Sequence, residues 1–474
     1  MSDVNVSQGS SKKSFMIVVL LLTMVTATAS GYSNNVVLPV FLTKMNMLDY
    51  YAVFGALSSM GMMTALPLGG SLGSKFGVKA VILFGLIAQF AARALMVVVP
   101  NIFIFALLYT LAGFFAGLYM VAPYSVMAEV VSPEERPKLF GFVAAASAVG
   151  ALAGPLLAGI ISDTISPEIA FVSYAIFAII PVIGFATSYP NRKVQMGKFD
   201  LLGIAYLVVF VCCLVLWLSL GNKLFPFASP IGITLPIVAI ITLVLLIKRE
   251  SKILNPAVPI LMFKKKRFRN TFIIQALIVA YATCIGAYGI VYAQQIMQLG
   301  ATVSSTITMP QTIVQFIIGL FIGTFMGKAF KKRFRTVGLI SIITYFIGLM
   351  IFYTLTPDSS IFIIYLATGI GGIGQAISQS CYAAFFQTEL ELQEIKQAQG
   401  MFAFAQTGGS SVFMAICGVA LTFGLTLNQV FLVGALFVGT AFVVALFGFR
   451  FPKEEIESET NAQLQSHKPA VGES

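Results

Sequence analysis

The chain has 474 residues, 58% of them hydrophobic and 10% charged, with a formal net charge of +11 at pH 7 and a mean hydropathy of +0.93. Soluble domains carry about 25% charged residues, so this composition excludes a soluble globular protein. The positive balance speaks of orientation and of anionic lipid at the inner leaflet, not of nucleic acid.

A spanning helix needs roughly 20 apolar residues, and the bilayer admits only helices or closed barrels. The apolar runs are long and lack the ten-residue alternation of barrel strands. Fourteen transmembrane helices are predicted, at 15–41, 50–73, 78–99, 101–127, 139–163, 168–189, 199–220, 230–248, 270–293, 304–328, 336–355, 359–386, 399–424 and 428–450. The first run has no small-residue cleavage site and is read as a retained helix. Of the 29 lysines and arginines, only Lys44 and Lys223 fall in outer loops and Arg93 within span 3. The rest fall in inner loops and tails, which places both termini in the cytoplasm of a multi-pass protein of the cytoplasmic membrane.

Several chemistries drop out. The cysteines, Cys212, Cys213, Cys284, Cys381 and Cys417, lie within spans without metal-ligand spacing. The one histidine, His467, sits in a polar C-terminal tail, which removes histidine from any triad, metal site or proton relay. No phosphate loop of the G-x-x-x-x-G-K-[ST] type occurs. "GIGGIG", Gly369 to Gly374, fits G-x-G-x-x-G but lies inside an apolar run without a preceding strand. Its glycines are expected to let two helices approach rather than to bind a dinucleotide. No enzyme, cofactor or metal is expected.

"GGSLGSKFGVK", between spans 2 and 3, resembles the loop signature of the major facilitator superfamily, G-x-L-x-D-R-x-G-R-[RK]. Gly70, Leu72, Lys75, Gly77 and Lys79 keep the pattern, while Ser74 replaces its aspartate and Val78 a basic residue. "GALAGPLLAG", Gly150 to Gly159 in span 5, resembles G-x-x-x-G-P-x-x-G-G, associated with the drug:proton antiporters of that superfamily. Gly150, Gly154 and Gly159 are expected to admit a neighbouring helix closely, and Pro155 to bend span 5. "NNVVLP" (Asn34 to Pro39), "FDLLGIAYL" and "NPAVPILMFKKKRF" are similar to stretches of the fourteen-span branch. The resemblance implies an all-α membrane protein of two six-helix bundles plus two inserted helices. It divides the chain into a tail at 1–14, bundles at 15–190 and 270–450, the inserted pair at 191–248, a basic interfacial segment at 249–269 and a disordered tail at 451–474. Lys248, Arg249, Lys252, Lys264, Lys265, Lys266, Arg267 and Arg269 are expected on the anionic inner leaflet.

In such a transporter spans 1, 4, 9 and 12 line the substrate path. Asn34 lies on span 1. Tyr281, Tyr288, Tyr292 and Gln295 fall within about 60° on span 9 at 100° per residue. Gln375, Gln379 and Tyr382 make a stripe on span 12, Gln311 and Gln315 on span 10, and Tyr109, Gly113 and Tyr124 share a face of span 4. Such groups are expected to point inward, either lining a cavity for an amphipathic organic molecule or bonding between helices.

Relatives of this branch carry an acid in span 1, nine residues before the "LP" proline, where this chain has Ser30; Tyr109 stands where an arginine is expected in span 4. Glu129, at the inner end of span 4, is the coupling candidate, placed to pair with Lys75, while Asp49 and Asp163 read as helix-end charges. Arg93, deep in span 3 with Gln89 one turn before it, either snorkels outward or faces an anionic substrate. The resemblance implies proton-coupled efflux of amphipathic compounds by alternating access. The alternative is proton-coupled uptake or exchange of an organic anion, bile-acid-like or another amphipathic carboxylate.

Overall fold

The structure, a computed structural model, describes residues 10–46, 51–98, 101–120, 123, 126, 135–189, 200–221, 225–253, 256, 258–299, 303, 306–422, 424–452 and 454–458. In chain order the helices are α1 Ser10–Lys44, α2 Tyr51–Phe76, α3 Val78–Val98, α4 Ile102–Met120, α5 Arg136–Thr164, the short α6 Pro167–Ala170 and α7 Ala175–Ser188. Next come α8 Leu201–Leu220 and α9 Pro230–Glu250. Then come α10 Lys266–Thr283, α11 Ile290–Gln295, α12 Met309–Met326, α13 Phe330–Tyr353, α14 Ile361–Ile377, α15 Ala383–Gln387, α16 Leu392–Thr422 and α17 Leu427–Gly448. Among the described residues the only strand-like pairing is a single bridge between Gly221 and Phe225. Eleven helices there are long and apolar enough to cross a membrane, and shorter apolar helices run over Val53–Gly69 and Leu202–Leu218.

Large apolar side chains such as Phe103, Phe362 and Phe447 stand exposed, whereas Gln89, Arg93, Gln315 and Ser380 are buried. That is the polarity of a bundle whose outer solvent is lipid, where polar groups find their partners inside.

The chain forms two compact units. The first holds Met1–Val130, Ala146–Met262 and Glu391–Ser411; the second holds Val131–Ala145, Phe263–Leu390 and Val412–Ser474. In the first unit α4 packs on α2 and α3, α1 packs on α7, and α8 lies against α2 and α9. Glycine sets how near these helices come. A Cβ on Gly61 would sit 2.0 Å from the Thr110 carbonyl oxygen, and one on Gly113 would sit 2.2 Å from that of Ser58. The α2–α3 turn is one residue, Gly77, at φ +90°, a conformation that side-chain-bearing residues reach only with strain. Just beyond it, the Lys79 ammonium donates to the Ala186 carbonyl at 2.8 Å, satisfying a free carbonyl in the last turn of α7.

The α8–α9 hairpin is closed at its polar end by a carboxylate. Asp200 caps α8 by accepting from the Gly203 N–H at 3.1 Å, and Arg249 of α9 donates to it through Nε at 2.9 Å and Nη2 at 2.8 Å. The Arg249 guanidinium is the main cause, with the Gly203 N–H helping and burial opposing, that holds the Asp200 carboxyl below the usual carboxylate range. Asp200→Ala is expected to cost about 1 kcal/mol for the lost cap. A depressed folded-state value stabilises the fold above the unfolded pKa, about 3.9, and that contribution is lost as pH falls through the folded value. Thermal melts of wild type and variant should differ at pH 7 and converge toward pH 3.

In the second unit α14 packs on α12 and α13, and α17 packs on α10 and α13. Two π-helical turns interrupt the regular helices, at Cys284–Gly289 between α10 and α11 and at Ser378–Tyr382 between α14 and α15. Phe334 stacks on Phe385 at 4.2 Å, with Phe449 and Phe451 edge-on at 4.9 and 6.2 Å. The tail read as disordered from residue 451 is thus ordered at its start. Phe451 is buried, and Glu455 takes ion pairs from Arg267 and Lys331. Arg267 and Arg249, read as lipid-facing, spend their charge within the protein.

Candidate functional site

The first unit contains a buried polar cluster built by α1, α3, α4 and the segment following α6. Arg93, on α3, is 2% exposed, so it does not snorkel. Its Nη2 donates to the Ser30 carbonyl at 3.1 Å and its Nη1 to the Phe171 carbonyl at 3.3 Å. Its guanidinium carbon lies 4.4 Å from the centre of the Tyr174 ring. One turn earlier, Gln89 donates to the Ser30 hydroxyl at 3.0 Å and accepts from the Tyr119 hydroxyl at 2.8 Å. Ser30 therefore fills the place of the missing span-1 acid with a hydroxyl and a carbonyl, and no carboxylate of the described residues touches Arg93. The Arg93 Nε, the Tyr174 hydroxyl and the Asn34 Oδ1 have no hydrogen-bond partner among the described residues. Beyond Phe171 the cluster runs into apolar aromatic packing: Phe41 on Phe105 at 5.2 Å and on Phe171 at 5.1 Å, with Tyr109 6.0 Å from Phe105. Tyr109, expected on the path, belongs to this packing and is 3% exposed, and Gly113 of its face meets α2.

The second unit holds a seam of amides and phenols. Gln315 of α12 donates to the Gln379 Oε1 at 3.0 Å and to the Ala144 carbonyl at 3.3 Å. Gln375 accepts from the Tyr345 hydroxyl at 2.9 Å, and the Tyr382 and Ser341 hydroxyls are 2.6 Å apart. The Tyr281 ring lies 4.6 Å from that of Tyr345. Gln311 is half-buried.

The single tyrosine stripe expected on span 9 is split. The π turn at Cys284–Gly289 inserts one residue, which rotates the remainder of the span by about 100° relative to an unbroken helix. Tyr281 faces Tyr345 and Gly371, Tyr288 donates to the Met414 carbonyl at 3.4 Å, and Tyr292 to the Leu355 carbonyl at 2.9 Å. Tyr281, Tyr292 and Tyr382 are fully enclosed. The second π turn, at Ser378–Tyr382, carries Gln379 and Tyr382 of the span-12 stripe. Tyr119, Tyr174, Tyr345 and Ser341 complete these clusters, although helical spacing did not single them out; no residue pattern marks where a π turn falls.

The glycine-proline signature lies where α5 meets α1. A Cβ on Gly150 would stand 2.1 Å from the Thr28 hydroxyl oxygen and 2.4 Å from the Val25 carbonyl, and one on Gly154 2.5 Å from the Ala29 Cα. Gly159, expected to do the same, departs from this: its Cβ would meet only Val36 Cγ1, at 4.0 Å. Pro155 lies inside an unbroken helix. In the "GIGGIG" run a Cβ on Gly372 would meet the Gln311 carbonyl at 2.5 Å, and one on Gly374 that of Ser341 at 2.6 Å, so these glycines seat helices. Gly70 lies within α2, with Lys75 in its last turn; the Lys75 ammonium is 5.3 Å from the Phe76 ring centre. Glu129, Tyr124 and Asp49 lie outside the described residues, as do the side chains of Asp163 and Gln295.

Long apolar helices joined at glycine-lined seams, with a buried polar cluster inside each unit, are the build of a multi-pass membrane protein. Residues 19–414 match the Major Facilitator Superfamily, and the chain belongs to that family of transporters. It is 25% identical over 424 residues to Multidrug resistance protein 3 of Bacillus subtilis (strain 168), covering 88% of this chain and 81% of that protein. It is 27% identical over 304 residues to Multidrug transporter protein MdtP of the same organism, covering 63% and 55%. Among solved structures, the proton:xylose symporter XylE superposes with a TM-score of 0.66 at 12% identity, covering 95% of this chain and 99% of that one. The family is one of small-molecule transporters, not enzymes.

Proposed function

We propose that the protein is a proton-coupled exporter of amphipathic organic compounds in the cytoplasmic membrane. The observation that carries this is the packing of Gly150 and Gly154 onto the α1 backbone beside Pro155, in the signature that resembles drug:proton antiporters. Likeness to multidrug proteins across 88% of the chain supports the same reading. A fourteen-span layout with both termini in the cytoplasm accords with eleven long helices, two shorter apolar ones and the 31-residue α16. Asn34, Tyr288, Gln311, Gln315, Gln375 and Gln379 are proposed to contact substrate. Glu129 is proposed to carry the coupling charge, paired with Lys75 at the inner gate, and Gly70, Lys75, Gly77 and Pro155 to serve gating.

Inside-out vesicles with a preset pH gradient test this. Addition of amphipaths, tried in turn as neutral, cationic and anionic compounds, should collapse the gradient, and vesicles without the protein should not respond. A gradient indifferent to every compound would overturn proton antiport. Pro155→Ala should leave the melting temperature within a few degrees and lower turnover about tenfold, since the bend serves movement more than packing. Unchanged turnover would reduce the proline to a packing feature.

A further inference from the structure

We infer that Arg93 is the anchor of an anion site, and that the head group it takes is the carboxylate of an amphipathic organic acid. This deepens the proposed transport function by naming the substrate's charge, and it rests on that reading.

A guanidinium has five N–H donors. Nη1 and Nη2 of Arg93 each give one bond to a backbone carbonyl, and Nε gives none. Carbonyls are dipoles and the Tyr174 face is a quadrupole, so each softens the charge without cancelling it. A cation that is 98% covered, within a hydrophobic span and without a carboxylate among the described residues, is costly to keep. Gln89, Tyr119 and Ser30 form a bonded chain that fixes the α1 carbonyl which Arg93 grips. The cation is therefore positioned rather than merely accommodated.

The unfilled groups name the ligand chemistry. Both the Arg93 Nε–H and the Tyr174 O–H are donors without acceptors among the described residues, and Tyr174 is 1% exposed. Two donors beside a net positive charge call for an anion with more than one acceptor oxygen. A carboxylate meets that with the bidentate geometry that suits arginine. The Asn34 Oδ1, also unpaired, is an acceptor and suits a hydroxyl or amide N–H elsewhere on the same molecule. From Phe171, whose carbonyl holds Nη1, the buried aromatic packing of Phe41, Phe105 and Tyr109 runs on, side chains of the apolar kind that suits the body of an amphipath. No buried acid among the described residues of the cluster stands ready to receive a cation.

The test is binding by the purified full-length protein in nanodiscs of zwitterionic lipid, followed by isothermal titration. The probes are naphthaleneacetate, naphthaleneacetamide and (naphthylmethyl)trimethylammonium, which share a ring system and differ in charge, with sodium chloride as a further arm. The carboxylate should bind at least tenfold more tightly than the amide, and the cation weakest. Arg93→Gln should erase the carboxylate preference, Arg93→Lys should keep part of it, and Tyr174→Phe, which removes only the donor, should reduce it several-fold. Size exclusion and melting curves establish that each variant is folded. Equal binding of the three probes, binding of none, or a preference that survives Arg93→Gln would overturn the inference. Competition by chloride at the same concentration as the carboxylate would make the site one for inorganic anions and overturn it too. Because binding is read without transport, failure of proton antiport in vesicles leaves this result standing, and the reverse holds as well.

Discussion

Gly154→Val is expected to abolish transport and to cost about 3 kcal/mol or more of stability. A Cβ at this position falls 2.5 Å from the Ala29 Cα and 2.6 Å from its carbonyl oxygen. Those are backbone atoms in the middle of α1, so no rotamer change relieves them, and overpacking that moves backbone lies at the upper end of its usual cost. The displacement also propagates. Ala29 precedes Ser30, whose carbonyl and hydroxyl hold Arg93 and Gln89, so pushing α1 away loosens the buried cluster. Gly159→Ala provides the contrast. With Val36 Cγ1 at 4.0 Å as its nearest neighbour, a methyl there meets ordinary contact, and removing glycine from a helix gains up to about 1 kcal/mol. Thermal unfolding in detergent and transport in vesicles check both. Equal losses at the two positions would show that the signature acts through helix flexibility and not through closeness to α1.

The contrast between Gly154 and Gly159 marks what the residues alone allowed to be read. Spacing and composition identify a glycine-bearing helix that packs closely, but the partner's curvature decides which glycines touch. Helix crossing brings α1 nearest at Gly150 and Gly154 and carries it away by Gly159. The membrane class, the helical fold and the family were legible because hydrophobic length and loop motifs are local properties. Arg93 was legible as an anomaly, a lone cation in an apolar run, while its partners were not, since Ser30 and Phe171 lie 63 and 78 residues from it in sequence. The span-9 stripe failed for a different reason. Counting 100° per residue presumes an unbroken α-helix, and the π turn at Cys284–Gly289 resets the count. Tyr281 and Tyr292 remain inside, as their hydroxyls require, but they face different neighbours.

Both π turns fall on spans 9 and 12, which the family resemblance assigns to the substrate path. A π turn leaves the regular i→i−4 ladder. Here it delivers Gln379 to Gln315 and Tyr382 to Ser341. In this seam Gln315 and Gln379 are bonded to each other and Gln375 to Tyr345, whereas the Arg93 cluster of the first unit retains donors unfilled among the described residues. A seam that satisfies itself can open and reclose at small cost, each interhelical bond being worth about 0.6 kcal/mol. An unneutralised charge calls for a ligand. In the proposed transport cycle the seam supplies yielding contacts and the Arg93 cluster holds the charged group.

Gly372→Val should be as damaging as Gly154→Val, and its neighbour Gly369 should be indifferent. In α14 a Cβ on Gly372 falls 2.5 Å from the Gln311 carbonyl oxygen and 2.9 Å from Val314 Cβ, so α12 must move away by more than a rotamer adjustment. The expected cost is again about 3 kcal/mol, together with loss of the Gln315–Gln379 bond, whose two residues sit on the spans being separated. At Gly369 the nearest atoms are Pro310 Cβ at 3.8 Å and Val314 Cγ2 at 3.9 Å, ordinary contact distances. Gly369→Ala should therefore leave the melting temperature unchanged or raise it slightly. The pair also separates packing from phosphate binding. A dinucleotide turn needs its first and second glycines together, Gly369 and Gly371 in this run, for the tight turn and for the backbone's approach to the pyrophosphate. A helix seam needs only those that meet the neighbouring backbone. Melting curves of the two variants, with and without added NADH, decide the matter. A fold insensitive to Gly372→Val, or one stabilised by NADH in the wild type and not in Gly369→Ala, would return "GIGGIG" to the nucleotide reading.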